Sequence, residues 1–294
     1  MEVFTGSGVA LITPFKEDKQ VDFEMLATLI DRQINGHTDA IIVCGTTGEP
    51  ATLSPEERKK VIDFAVKRVG KRIPVIVGTG ANSTECAVEN AKEAQRLGAD
   101  AILVVTPFYN KATQKGLYLH YKMIADAVSL PVILYNVPSR TGCNLLPQTI
   151  KDIADSCANI AGVKEASGSI SQIADLAKLV GGRVAIYSGN DDQIVPILSL
   201  GGKGVISVLA NVFPQQTHDM VAAYLDGNTK EALQLQLEYL PFVHALFSEV
   251  NPIPVKAAME EIGYPCGGLR LPLTEIEDAH RKALVEELHK LIKS

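Results

Sequence analysis

No stretch of the chain gathers lysine and arginine into a basic stripe, and the net charge is −6. Nucleic acid is therefore not an expected partner. The five cysteines, at 44, 86, 143, 157 and 266, form no CxxC pair and no Cys/His zinc spacing. A sparse, odd set predicts reduced thiols in a cytoplasmic protein, with no structural metal. No apolar run is long enough to cross a bilayer, so no membrane is expected. The opening MEVFTGSGVA has neither a basic n-region nor a long apolar h-region, so no signal peptide is expected. Tryptophan is absent and aromatics make up only 5 %. Against these absences, 46 % hydrophobic and 21 % charged residues over 294 positions are ordinary for a soluble globular protein with a large core.

Short apolar runs are present, each followed by a helix-like segment. They are GVALI (Gly8–Ile12), AIIVC (Ala40–Cys44), PVIVG (Pro74–Gly78), AILVV (Ala101–Val105), PVILY (Pro131–Tyr135), IAGVK (Ile160–Lys164), VAIYS (Val184–Ser188) and GVISV (Gly204–Val208). They are β-branched without alternation, as parallel strands buried on both faces should be. Eight evenly spaced runs predict a (β/α)₈ TIM barrel in the α/β class, in preference to a flat doubly wound sheet.

The intervening segments carry helix signals. Ser54, Pro55 and Glu57 make a capping box, and Gly70 ends that helix. Ala87, Ala91, Ala94 and Leu97 share one face of the next, which stops at Gly98. Ile173, Leu176, Ala177 and Val180 repeat the pattern. After Val208 only helical segments follow. The expected division is a barrel over 1–225 and a C-terminal helical domain over 226–294.

Barrel active sites lie at the C-terminal strand ends. There stand Thr46, Thr47, Tyr109, Tyr135, Arg140 and Lys164. An amine at the mouth of an apolar barrel is partly desolvated, which favours its neutral form. Neutral lysine can attack a ketone and form an imine, which then draws electrons from the adjacent carbon. Tyr135 and Thr46 could relay the protons. The competing reading pairs Lys164 with Glu165. Arg140 suits a substrate carboxylate, which a guanidinium grips bidentately, or it holds a loop. Asp191 and Asp192 read as a solvated turn rather than a metal site, Glu49 as a ligand to helix-start N–H groups, and Cys44 as a buried hydrophobe; the role of Lys256 stays open, with helix packing as the default. GTGANS lacks the third glycine of a dinucleotide fingerprint, and no cofactor is expected.

The motifs GTTGE, TPFYN, YNVPSRTG, GVKEASG, SGNDD, GVISV and NPIPVK resemble those of the dihydrodipicolinate synthases, and the similarity runs from FTGSGVALITPF to LRLPL. The resemblance implies a homo-oligomer, at least a dimer with a tetramer favoured, that condenses pyruvate with L-aspartate 4-semialdehyde on the route to lysine. It implies Lys164 as the imine-forming lysine, Tyr135 as proton relay, and Thr46 linking Tyr135 to Tyr109, with Tyr109 entering the neighbouring subunit's site. Thr47 then holds the pyruvate carboxylate, Arg140 receives the second substrate, and Gly189 and Ile206 line the site. Pro50 departs from the family's small residue after GTTGE and removes a backbone N–H.

The same lysine, tyrosine and threonines would also serve an N-acetylneuraminate lyase or a 2-keto-3-deoxy sugar acid aldolase. Arg140-Thr141-Gly142 favours the synthase. A non-catalytic keto-acid binder would need no proton relay. In lysine-sensitive relatives the resemblance implies an allosteric pocket whose positions here read Pro50, Pro55, Arg58, Asn82, Cys86 and Phe108. Only Asn82 is retained, so insensitivity to lysine is expected unless Glu85 or Glu56 supplies the missing carboxylate.

Overall fold

Strands that are apolar on both faces need a layer on each side, and a closed barrel wrapped in helices provides both. The computed structural model, which describes residues 2–292, has that arrangement. The strands are β1 (Gly6–Ala10), β2 (Ala40–Val43), β3 (Val75–Gly78), β4 (Ala101–Val105), β5 (Val132–Asn136), β6 (Ile160–Glu165), β7 (Ala185–Ser188) and β8 (Gly204–Ser207). Each pairs in parallel with the next, and β8 closes on β1 through Gly6↔Gly204 and Gly8↔Ile206.

Alternation along the strands divides the core. Ile42, Ile76, Leu103, Ile133, Tyr135, Tyr187 and Ile206 fill the barrel interior. Ile41, Val43, Val75, Val77, Ile102 and Val104 face the helices. Each such side chain removed from water stabilises the fold by about 1.5–3 kcal/mol. Near the start of the strands, Phe4 stacks on Tyr187 at 4.4 Å, and the Tyr187 hydroxyl donates to the Phe4 carbonyl.

Strand β1 begins and ends two residues before its expected bounds. Gly6 (φ 120°) and Gly204 (φ 153°) approach so closely that a Cβ on Gly204 would lie 1.8 Å from the Gly6 carbonyl oxygen. Two glycines thus let the ladder start at Gly6. Leu11 and Ile12 are buried like strand residues, yet the Ile12 N–H is taken by the Asn211 side chain instead of a neighbouring strand. Strand β6 runs one residue further than expected, to Glu165.

The capping box at Ser54 is formed, and Gly70 closes helix Pro55–Val69 in the left-handed conformation. Ala87, Ala91 and Ala94 are buried, whereas Leu97, just past the end of helix Thr84–Arg96, is half-buried. Beyond β8 come helices Pro214–Leu225, Thr229–Leu246, Ile253–Glu261 and Asp278–Ile292. We place the domain boundary after Leu225, where the first of these ends. The last two residues of the expected final helix lie outside the described residues. The stretch entering helix Ile253–Glu261 contacts the turn after β2, which brings the C-terminal helices to the barrel mouth.

Candidate active site

Strands β5 and β6 are in register with Tyr135 opposite Lys164. This puts the Lys164 amine 4.4 Å from the centre of the Tyr135 ring. Both residues are only 6 % exposed, so the amine has lost most of its hydration. Burial, the largest influence, pushes its pKa down to about 8; Asp191 opposes that shift and the Arg140 guanidinium adds to it. Glu165 is not its partner. That carboxylate points the other way, accepting from the Asn136 amide at 3.2 Å and from the Ser167 N–H at 2.8 Å.

Burial pushes the Tyr135 phenol up, so it stays protonated and able to donate near neutrality; Arg140 and a hydrogen bond with the Thr46 side chain oppose the shift. Thr46 begins a tight turn, Thr46–Gly48, closed by Gly48 N–H donating to the Gly45 carbonyl at 2.8 Å. Thr47 in this turn is buried, and its Oγ1 accepts from the Asn251 amide at 2.9 Å. A hydroxyl that accepts from a neighbour keeps its own proton free to donate. Pro50 opens the following turn, Pro50–Thr52, where a missing N–H costs little.

Arg140 lies on the short helix Pro138–Thr141 that follows β5. It is exposed, and Nη2 donates to the Asn251 carbonyl at 3.1 Å. It thus does hold a loop, yet no protein carboxylate pairs with it among the described residues. Gly189 is packed against the lysine: a Cβ there would sit 3.1 Å from Lys164 Cε and 2.7 Å from Ala166 Cβ. Ile206 is fully buried in the barrel interior among the same side chains. A cavity of about 470 Å³ opens over this group, lined by Thr46, Tyr135, Arg140, Phe108 and Asn251 among others. Lys164 is outside the lining, screened by its burial.

The structure therefore brings Lys164, Tyr135, Thr46, Thr47, Arg140, Gly189 and Ile206 to one end of the barrel. Tyr109 is apart from them. It is 89 % exposed, with φ 73°, and its side chain has no partner within the described chain.

Three sequence expectations are corrected. Glu49 does not ligate helix-start N–H groups: its carboxylate is buried 2.5 Å from Lys256 Nζ. Lys256 accordingly is not a plain packing residue. Asp191 is not solvated. The turn Asp191–Gln193 directs it inward, where Oδ2 accepts from Val208 and Leu209 N–H, both at 3.0 Å, while Asp192 stays exposed. Cys44 is buried as expected, and burial pushes its thiol up to about 11. Among the described residues no group of three or more His, Cys, Asp or Glu is placed to hold a metal. Sequence reasoning missed Asn251, whose only signal was its place at the head of NPIPVK.

A family model described as the dihydrodipicolinate synthetase family matches residues 3–291. The 4-hydroxy-tetrahydrodipicolinate synthase of Lachnoclostridium phytofermentans is 58 % identical over 291 residues, covering 99 % of each chain. A chloride-inhibited dihydrodipicolinate synthase from Acinetobacter baumannii, solved in complex with pyruvate, is 44 % identical with a TM-score of 0.95, covering 97 % of this chain and 98 % of that one. The enzyme from Cyanidioschyzon merolae, solved with lysine bound, is 39 % identical with a TM-score of 0.95, covering 98 % of each.

Proposed function

This chain belongs to the dihydrodipicolinate synthetase family and its activity is that of a 4-hydroxy-tetrahydrodipicolinate synthase, a lyase, and we propose that it works through an imine between Lys164 and pyruvate. The observation that carries this is a buried lysine amine held at 4.4 Å over a protonated tyrosine, with its pKa lowered to about 8.

Neutral Nζ attacks the keto carbon of pyruvate. Tyr135 donates a proton to the departing oxygen, water leaves, and a protonated imine remains. Loss of a methyl proton gives the enamine, whose terminal carbon attacks the aldehyde carbon of L-aspartate 4-semialdehyde. The amine of the semialdehyde then displaces Lys164 and closes the hydroxylated ring. Each transfer uses the pair Tyr135 and Thr46. Thr47, its proton free, binds the pyruvate carboxylate. Arg140, with no carboxylate of its own, receives that of the semialdehyde. Gly189 leaves room for the lysine stem, and Ile206 keeps the floor apolar.

Tyr109 completes the relay from a second subunit in this proposal. Its 89 % exposure beside exposed Phe108 and, elsewhere on the surface, Leu271 supports burial in a homo-oligomer, at least a dimer and in full a tetramer. We place the enzyme in the cytoplasm, on the diaminopimelate route to lysine; no described helix is long and apolar enough to cross a membrane. Coupled assays distinguish the chemistries. Turnover is expected with pyruvate and L-aspartate 4-semialdehyde, and its loss in Lys164→Arg, which cannot form the imine. Turnover of N-acetylneuraminate or a 2-keto-3-deoxy sugar acid instead would overturn the substrate assignment, and full activity of Lys164→Arg would overturn the mechanism.

A further inference from the structure

The turn carrying Thr46 and Thr47 ends at Glu49, a non-glycine residue in the left-handed region at φ 53°. Its side chain is 1 % exposed, and Oε1 lies 2.5 Å from Nζ of Lys256, itself 2 % exposed. Lys256 is held on two more sides: Nζ donates to the Gly268 carbonyl at 2.8 Å and sits 4.2 Å over the Phe15 ring. The second Glu49 oxygen accepts from the Arg270 N–H at 3.3 Å. The pair therefore ties the loop after β2 to the C-terminal helices.

A buried ion pair is a poor way to gain stability, because desolvating both charges offsets most of their attraction. It is a good way to fix a geometry, since either group alone in that place is costly. What it fixes here is specific. The stretch of chain that delivers Lys256 also delivers Asn251, whose amide donates to Thr47 and whose carbonyl accepts from Arg140. One short segment is thus fastened to the end of the turn by Lys256, and to both carboxylate-binding side chains by Asn251.

We propose that Glu49 and Lys256 are positioning residues that hold the Thr46–Thr47 turn in its pyruvate-binding form. The proposal rests on the assignment of Thr47 to the pyruvate carboxylate. Lys256 lies outside the cavity lining, and Glu49, which borders the cavity, has its carboxylate on Lys256; acting through the turn, their loss should weaken pyruvate binding more than it slows the bound reaction.

The test is the double variant Glu49→Gln/Lys256→Met, which removes both charges and keeps an acceptor for Arg270. Expected are a melting temperature close to that of the parent, a pyruvate KM raised roughly tenfold or more, and a kcat within about threefold. Glu49→Gln alone leaves the Lys256 charge buried without its partner, so it should lower the melting temperature and raise the pyruvate KM at least as much, with the same split. Arg270→Ala is the control: it removes a different C-terminal tether, to Glu57 and to the Thr52 and Lys19 carbonyls, and should lower the melting temperature without moving the pyruvate KM. An unchanged pyruvate KM in folded Glu49→Gln overturns the proposal, as does a fall in kcat with KM unmoved or an equal KM rise in Arg270→Ala. Borohydride trapping of pyruvate on Lys164 in the unaltered enzyme separates these outcomes from failure of the imine assignment itself.

Discussion

In the proposed mechanism the neutral fraction of Lys164 sets how fast the first bond can form, and burial of the amine raises that fraction. With a pKa of about 8, roughly one amine in eleven is neutral at pH 7. An unperturbed lysine near 10.4 would be neutral in only about 0.04 % of molecules. The gain is roughly two-hundredfold, or about 3 kcal/mol in the availability of the nucleophile. Lowering a lysine pKa favours the form without the proton, so the rate of imine formation should rise with pH and level off above about 8. Single-turnover trapping with borohydride at saturating pyruvate measures this step directly. Two variants should move the midpoint in opposite directions. Arg140→Ala removes a positive charge that disfavours the ammonium and should shift it upward. Asp191→Asn removes the carboxylate that favours the ammonium and should shift it downward. A rate that keeps climbing tenfold per pH unit to about 10 would refute the desolvated amine, and shifts of the opposite sign in the variants would refute the electrostatic assignment.

Tyr109→Phe should lower kcat strongly and leave folding intact; mixed with Lys164→Ala, it should regain part of the activity in hybrid oligomers, and hybrids that form but stay inactive would refute a shared site. Lysine at physiological concentration should not inhibit. At the positions that the resemblance assigns to the allosteric pocket, Arg58 is a cation, its Nη2 donating to the Gly78 carbonyl, and Cys86 offers no carboxylate. Losing several charge-assisted bonds of about 1.5–3 kcal/mol each abolishes micromolar binding, so half-inhibition below about a millimolar would contradict this. The Arg270 guanidinium holds the Glu57 carboxyl down at about 2. That contribution is present above the ordinary glutamate pKa and is lost as the pH falls toward 2, so the melting-temperature deficit of Arg270→Ala should shrink in acid. An undiminished deficit near pH 2 would assign the role of Arg270 to its bonds with the Thr52 and Lys19 carbonyls and its place 4.4 Å over the Phe15 ring instead.

What was legible in the sequence was local. The Ser54 box needs only residues three apart, and the strands announce themselves by composition, because burial on both faces leaves few polar residues. Lys164 stood out for the same reason, a charge near the end of an apolar run. Contacts that close over long separations were not legible. Glu49 and Lys256 each have an ordinary helical or loop neighbourhood, and only the folding of the C-terminal helices across the mouth pairs them. Asp191 and Asp192 are chemically alike, and the turn alone decides that the first is buried and the second is not. Ile12 continues the apolar pattern of β1 although the ladder has ended. Tyr109 is a further case: the relation to Thr46 proposed for it depends on a surface that one chain leaves exposed.

The most direct test of imine catalysis is covalent. The enzyme is incubated with pyruvate, reduced with borohydride and digested, and the modified peptide is identified by mass spectrometry. A carboxyethyl group on Lys164, absent without pyruvate and absent in Lys164→Arg, is the expected result. Modification of another lysine such as Lys256, or none at all in an enzyme that still turns over, would contradict it.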